Sequence, residues 1–134
     1  MMPTFTNIHH LAVTVRDLET SVAFYEQVFG FAPATEIDDE SLHRKLFALP
    51  GGTNLGLTQH DGGTDGASGG GFSPFSPGLD HIGLTVESRD ELEAWASHLS
   101  EHGIEHSGIV EAPYGYALSF KDPDKIALEF FVSK

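Results

Sequence analysis

The sequence predicts an α+β fold made of two tandem βαβββ modules. The first observation is a duplication, because the stretch 8–18 returns as 80–88, with a histidine at the start of an alternating strand and a helix-capping residue seven positions later. The second observation is that each copy continues into a helical apolar pattern and then three short strand-like segments. One strand, one helix and three further strands therefore occur twice in 134 residues.

The opening strand of each copy has two different faces. His10 shares its face with Ala12 and Thr14, and His81 shares its face with Gly83, while the alternate positions are apolar. A lone histidine in such a place is usually a packing or surface residue. Two histidines at equivalent positions of a repeat instead indicate the wall of a site.

The first module continues with an amphipathic helix that Asp17 caps and Gly30 ends. Its apolar residues follow helical spacing: Leu18, Val22, Tyr25, Val28 and Phe29. Three strands are predicted at 31–37, 42–49 and 54–59, separated by an acidic turn and a Pro-Gly-Gly turn.

The second module repeats this plan. Ser88 and Glu91 form a capping-box pattern for a helix with Leu92, Trp95 and Leu99 on one face, and Gly103 ends it. Strands are predicted at 104–110, 115–120 and 126–132, with the turn Asp122-Pro123-Asp124 before the last one.

The modules are expected to form a single domain, 1–134, with module 1 at about 5–60 and module 2 at about 79–134. The connection between them, about 61–78, is rich in Gly, Ser and Asp and is predicted to be mobile. It lacks the strand and the Lys-Ser or Lys-Thr pair of a phosphate-binding loop. Phe72 and Phe75 within it could close over a ligand, but docking on the core is the preferred interpretation.

Composition excludes several classes of protein. The chain has no cysteine, which rules out disulfides, thiolate metal sites and cysteine nucleophiles. Seven Lys and Arg against twenty Asp and Glu give a net charge of −13, which disfavours nucleic acid and anionic lipid as partners. No apolar run is long enough to span a bilayer and no signal peptide is apparent, so we expect a cytoplasmic protein without membrane contact.

Glu129 is a charged residue within an otherwise apolar strand. An offset of 73 residues between the helix-ending glycines maps Glu129 onto Gly56 of the first module. An unpaired buried carboxylate would cost several kcal/mol. A divalent cation held together with His10 and His81 would compensate that charge, and a neighbouring Lys, Arg or Tyr is an equally open alternative.

Several segments together resemble one superfamily. They are 10–18, 21–25, 28–31, 80–86, 120–124 and 126–129. In this combination the chain is similar to the vicinal oxygen chelate superfamily, which includes glyoxalase I, extradiol dioxygenases, fosfomycin-resistance thiol transferases and bleomycin-binding proteins. The resemblance covers nearly the whole chain. It implies curved mixed sheets that together form a metal-binding cup, with the helices packed outside.

The resemblance also implies a ligand set. His10, His81 and Glu129 match the metal-binding positions of the superfamily, whereas Gly56 stands where glyoxalase I-like members have a fourth ligand. The remaining two histidines and one glutamate resemble extradiol dioxygenases and fosfomycin-resistance enzymes. Lys125 stands where the superfamily often has Gly or Asn, which puts the geometry of that turn in doubt.

Two further residues are weaker candidates for the site. His60 shares a face with Gly56 and could act as a base or a distant ligand, although it also begins the connection between the modules. Tyr116 could donate to a substrate oxygen, although a tyrosine that fills a cup wall is the commoner case.

The function implied by the resemblance is divalent-metal-dependent chemistry on a small oxygenated substrate, with dioxygenase-like activity favoured. Two imidazoles and one carboxylate leave coordination positions for a bidentate substrate and dioxygen, which favours Fe²⁺ or Mn²⁺ over Zn²⁺ or Ni²⁺. The alternatives are a glyoxalase-type lyase or isomerase, a thiol transferase, and a non-catalytic drug-binding protein like those of bleomycin resistance. The resemblance further implies a homodimer.

Overall fold

The computed structural model describes residues 1–62 and 71–134. They belong to two compact units, Met1–Gly69 and Gly70–Lys134, which correspond to the two predicted modules and keep that name below. The boundary falls within the predicted Gly-rich connection, of which 63–70 lie outside the described residues. Phe72 is half-buried but Phe75 is 95% exposed, so the prediction that both dock on the core is wrong for Phe75.

The first module is a four-stranded mixed sheet with one helix. Its elements are β1 (His10–Thr14), α1 (Leu18–Phe29), β2 (Thr35–Asp38), β3 (Leu42–Ala48) and β4 (Asn54–His60). The strand order is β1-β4-β3-β2, in which β1 runs parallel to β4 and the other pairs are antiparallel.

The second module has the same topology. Its elements are β5 (Ile82–Thr85), α2 (Arg89–Glu101), β6 (His106–Ala112), β7 (Gly115–Lys121) and β8 (Ala127–Ser133). The order β5-β8-β7-β6 repeats the parallel first pair and the antiparallel pairs that follow. Two open mixed sheets, each with its helix, confirm the predicted α+β fold of tandem βαβββ modules.

Both helices begin at the predicted capping residues. The Asp17 side chain accepts a hydrogen bond from the Thr20 backbone N–H at 3.0 Å, and Ser88 accepts one from the Glu91 N–H at 3.1 Å. Gly30 ends α1 in the left-handed conformation, with φ of 82°. Within the described residues, neither helix is long and apolar enough to cross a bilayer.

Each sheet buries one face against the helix of its own module. In the first module Val13, Phe47 and Leu57 are buried with Tyr25 and Val28 of α1. The second core is built in the same way from Leu92, Leu99, Leu118, Phe120, Leu128 and Phe130, with Trp95 stacked on Phe130 at 4.1 Å. The histidine-bearing face of each sheet is therefore the face turned away from its helix.

The turn before β8 is organised by a buried carboxylate. Asp122 Oδ1 accepts hydrogen bonds from the backbone N–H groups of Asp124 at 2.8 Å and Ile126 at 2.9 Å. Lys125 between them has a φ of 68°, a left-handed conformation that Gly and Asn adopt at lower cost. Lys125 thus holds a left-handed position in a turn that the Asp122 carboxylate fixes from both sides.

His43, near the start of β3, forms a pH-dependent contact with β2 and with the residue that follows β4. It bonds to Asp38 and, at 3.1 Å, to Asp61, and these hydrogen bonds raise the pKa of His43 above its ordinary value of 6.5. A raised folded-state pKa stabilises the fold below the unfolded pKa, and this contribution disappears as the pH rises through the folded pKa.

When the pH is raised from about 6 to about 8, we therefore expect the free energy of unfolding to fall more in the wild type than in His43→Gln. Denaturant unfolding of both proteins at the two pH values measures this difference. Equal pH dependence would show that the exposed ion pairs contribute nothing.

Candidate metal centre

His81 and Glu129 meet on the face of the second sheet that is turned away from α2. Glu129 of β8 is the register partner of Gly83 in β5, and His81 directly precedes that strand. His81 Nε2 lies 3.9 Å from Glu129 Oε1, and the two side chains are 46% and 22% exposed. Glu129 Oε1 is the nearest atom to Gly83, at 3.7 Å from the position that a Cβ would take there.

Asp80 holds the other nitrogen of the His81 ring. Its Oδ1 lies 2.6 Å from Nδ1, so the Nδ1–H donates to the Asp80 carboxylate and Nε2 faces Glu129. This hydrogen bond is the main reason why the pKa of His81 is raised, while the charge of Glu129 adds to the effect and burial opposes it. Sequence reasoning did not identify Asp80.

His10 of the first module has a comparable neighbour. His9 Nδ1 lies 3.0 Å from His10 Nδ1, and the two rings meet edge to face with centroids 5.2 Å apart. His9 and Asp80 are separated by 71 residues, the same offset that relates His10 to His81. In both modules, the residue that directly precedes the histidine therefore contacts its Nδ1, and Nε2 faces elsewhere. The 71-residue offset relates His9 to Asp80 and could have identified both residues from the sequence.

The pairing register shows that Gly56 and Glu129 occupy equivalent positions. Gly56 is the partner of Ala12 in β1, as Glu129 is the partner of Gly83 in β5. The first module thus has no carboxylate at this place. Instead, the side chain of Arg44 lies over Gly56, with Cδ 3.3 Å from the position of a Cβ.

His60 lies on the same face of the first sheet as His10 but far along it. Asn54 is the register partner of His10, and His60 ends β4 opposite Leu42. His60 is six residues after Asn54, which corresponds to about 20 Å along the strand. That length of strand separates His60 from the level of His10.

Tyr116 lies on the other face of the second sheet from Glu129. It is the register partner of Val132, whereas Ser119 is the partner of Glu129. The Arg89 guanidinium carbon of α2 stands 5.2 Å from the centre of the Tyr116 ring. Tyr116 therefore packs on the helix side of the sheet, opposite to the face that carries Glu129.

The residues of the second module fit part of a metal site. Two ligand atoms at about 2.0–2.2 Å from one tetrahedral or octahedral ion lie about 3–3.5 Å apart. His81 Nε2 and Glu129 Oε1, now 3.9 Å apart, would therefore need to approach by about 0.4–0.9 Å. Within either module, the described residues bring no group of three His, Asp or Glu side chains together for a metal ion. The pair thus offers two donors of a type that suits Fe²⁺, Mn²⁺ or Zn²⁺.

Comparison with known proteins gives a consistent result. Residues 7–130 match the model of the Glyoxalase/Bleomycin resistance protein/Dioxygenase superfamily. The chain is 30% identical over 130 residues to the trivalent organoarsenical cleaving enzyme of Bacillus sp. (strain MD1), covering 93% of this chain and 72% of that protein. It is 28% identical over 128 residues to the uncharacterized protein YaeR of Escherichia coli (strain K12), covering 92% and 94%.

A solved structure supports the same assignment. The glyoxylase/bleomycin resistance protein/dioxygenase domain from Frankia sp. EAN1pec superposes with a TM-score of 0.86 at 30% identity, covering 98% of this chain and 100% of that one. The topology and the sequence therefore point to the same group of proteins.

Proposed function

This chain belongs to the Glyoxalase/Bleomycin resistance protein/Dioxygenase superfamily, and on that premise we propose that it is a divalent-metal-dependent enzyme acting on a small oxygenated molecule. Dioxygenase-like activity is the form we favour. A glyoxalase-type lyase or isomerase, a thiol transferase and a drug-binding protein are the competing members of the same superfamily.

One observation carries the proposal: Asp80, His81 and Glu129 form a chain in which a carboxylate orients an imidazole toward a second carboxylate. The distances are 2.6 Å from Asp80 Oδ1 to His81 Nδ1 and 3.9 Å from His81 Nε2 to Glu129 Oε1. A histidine that binds a metal commonly donates its other N–H to a carboxylate, which fixes the tautomer. A divalent cation bound at Nε2 would replace the proton that His81 otherwise holds toward Glu129.

We propose His10 as the third ligand. The support is the repeat, because His10 and His81 are equivalent and each has its Nδ1 engaged by the preceding residue. We propose that His10 binds the same ion as His81 and Glu129, and that the protein is a homodimer.

The glycine at position 56 is the reason why we favour dioxygenase-like members of the superfamily over glyoxalase I-like ones. With glycine at the position equivalent to Glu129, the proposed site has three ligands and no second carboxylate as a fourth. Bound Fe²⁺ or Mn²⁺ would supply Lewis-acid and redox chemistry to vicinal substrate oxygens. The residues of the second module would orient the substrate on the face of β5 that carries Gly83 and Thr85.

We expect oxygen uptake by protein that has been reconstituted anaerobically with Fe²⁺ or Mn²⁺ and then offered a panel of catechols and trivalent organoarsenicals. A three-ligand site leaves positions that substrate and dioxygen need. The measurement is oxygen consumption, run beside isomerisation of glutathione hemithioacetals with Zn²⁺ and Ni²⁺, and the matched control is His81→Ala.

Turnover confined to the hemithioacetal assay would place the protein among the lyases. No turnover in either assay, together with tight binding of an aromatic drug, would identify it as a sequestering protein.

A further inference from the structure

Arg44 is held in an unusual position on the first sheet. It lies in β3, in register with Thr58, and its aliphatic stem crosses Gly56, with Cδ 3.3 Å and Cγ 3.6 Å from the position of a Cβ. Any larger residue at position 56 would compete with this stem for space. Glycine at the position equivalent to Glu129 therefore does two things: it omits a carboxylate and it admits an arginine.

Among the residues that the structure describes, one atom anchors the guanidinium. Arg44 Nε donates to Thr58 Oγ1 at 2.7 Å, and Thr58 is only 2% exposed. A guanidinium has five N–H donors in a planar fork, and this hydrogen bond uses one of them. The buried hydroxyl fixes the fork and reduces the entropy that it would lose on binding a ligand.

No carboxylate in the ranges 1–62 and 71–134 forms an ion pair with Arg44. Three other cations form ion pairs: Lys45 with Glu36 at 3.6 Å, Arg89 with Glu93 at 3.4 Å and Lys134 with Glu111 at 2.6 Å. The chain has twenty acidic residues and seven basic ones. In such a chain, a half-buried arginine without a carboxylate partner is available for an anion from outside.

Arg44 also lies close to one of the proposed metal ligands. Its stem shares the space above Gly56 with Ala12, whose Cβ is 3.5 Å from the same point. Ala12 is next but one to His10 on the same face of β1, a separation of about 7 Å. A small molecule of about this length bound at His10 would extend along this face to the stem of Arg44.

We propose that Arg44 binds an anionic oxyacid group, a carboxylate or a phosphonate, of the substrate. The proposal rests on the proposed function in one respect, since it takes the ligand at His10 to be the substrate. A planar arginine fork binds two oxygens of such a group at once. The net charge of −13 would otherwise repel anions, so a dedicated cation is needed to admit one.

The test uses the full chain with benzoate, phenylphosphonate and the uncharged benzyl alcohol as probes at millimolar concentration. Calorimetric titration and the NMR signal of the Arg44 Nε–H report binding, first in metal-free protein and then with Mn²⁺. Both anions are expected to shift this signal and to bind at least about tenfold more tightly than benzyl alcohol.

Arg44→Met keeps the stem over Gly56 but removes the charge, so it should abolish the preference for anions. Arg44→Lys keeps the charge without the fork, and Thr58→Val removes the anchor, so both should weaken the preference. Anions that bind no better than benzyl alcohol, or equally well to folded Arg44→Met, overturn the proposal.

Mn²⁺ affinity is measured separately and should be unchanged in Arg44→Met. Wild-type protein that binds Mn²⁺ but binds the anions no better than benzyl alcohol rejects only the role of Arg44. Intact anion binding without Mn²⁺ binding rejects only the proposed metal function.

Discussion

Replacement of His81 or Glu129 by alanine is expected to weaken Mn²⁺ binding by more than about 100-fold, because residues that merely orient a ligand already contribute about 10- to 100-fold. Asp80→Ala should fall within that smaller range, since Asp80 touches His81 Nδ1 and not the metal position. The measurement is the Mn²⁺ dissociation constant from calorimetry, with circular dichroism to verify that each variant is folded.

Two variants serve as matched controls for this series. His60→Ala removes an exposed imidazole at the far end of β4, and Glu87→Gln removes an exposed carboxylate close to β5. Neither should change Mn²⁺ affinity. If His81→Ala and Glu129→Ala bind Mn²⁺ as tightly as these controls do, the proposed metal centre is wrong.

Gly115→Ala is expected to lower the free energy of unfolding by about 1–3 kcal/mol or more, the usual cost of overpacking a filled site. A Cβ at this position would lie 2.4 Å from the Val132 carbonyl oxygen and 2.5 Å from Phe131 Cζ. The backbone oxygen belongs to the β7–β8 ladder and cannot move away without breaking it. Denaturant unfolding of metal-free protein measures the loss.

Gly83→Ala is the control, because it adds the same atom to a strand at a place with room. Its nearest neighbour would be Glu129 Oε1 at 3.7 Å, an ordinary contact. The free energy of unfolding of this variant should be unchanged or higher by up to about 1 kcal/mol, because alanine loses less conformational entropy on folding into a strand than glycine does. Equal losses in both variants would mean that the close approach at Gly115 does not decide the stability.

The sequence was sufficient for the fold because each element carried its own local signal. Asp17 and Ser88 marked the helix starts, and the alternation after His10 and His81 separated the two faces of each opening strand. Boundaries were less predictable. The strand expected at 31–37 begins only at Thr35, because an apolar residue such as Phe31 can pack against neighbouring rings outside a strand.

The candidate site was predictable only where the repeat exposed it. The offset between the modules placed Glu129 at the position of Gly56, which the register confirms. Arg44 had no counterpart in the repeat, and its importance depends on a cross-strand approach to Gly56 that no local pattern encodes. Tyr116 was assigned without knowledge of its face, and the register with Val132 places it toward α2.

The parallel pairing of each histidine-bearing strand has a consequence for biosynthesis. β1 pairs with the last strand of its module, and the Asn54 side chain bonds to the His9 carbonyl across 45 residues of chain. On the ribosome, β1 emerges first but must wait for β4 before its ladder can form. The chain loses the entropy of closing that long loop before any β1–β4 hydrogen bond forms to compensate it. A nascent chain therefore carries His10 on an unpaired strand until the whole module has been synthesised.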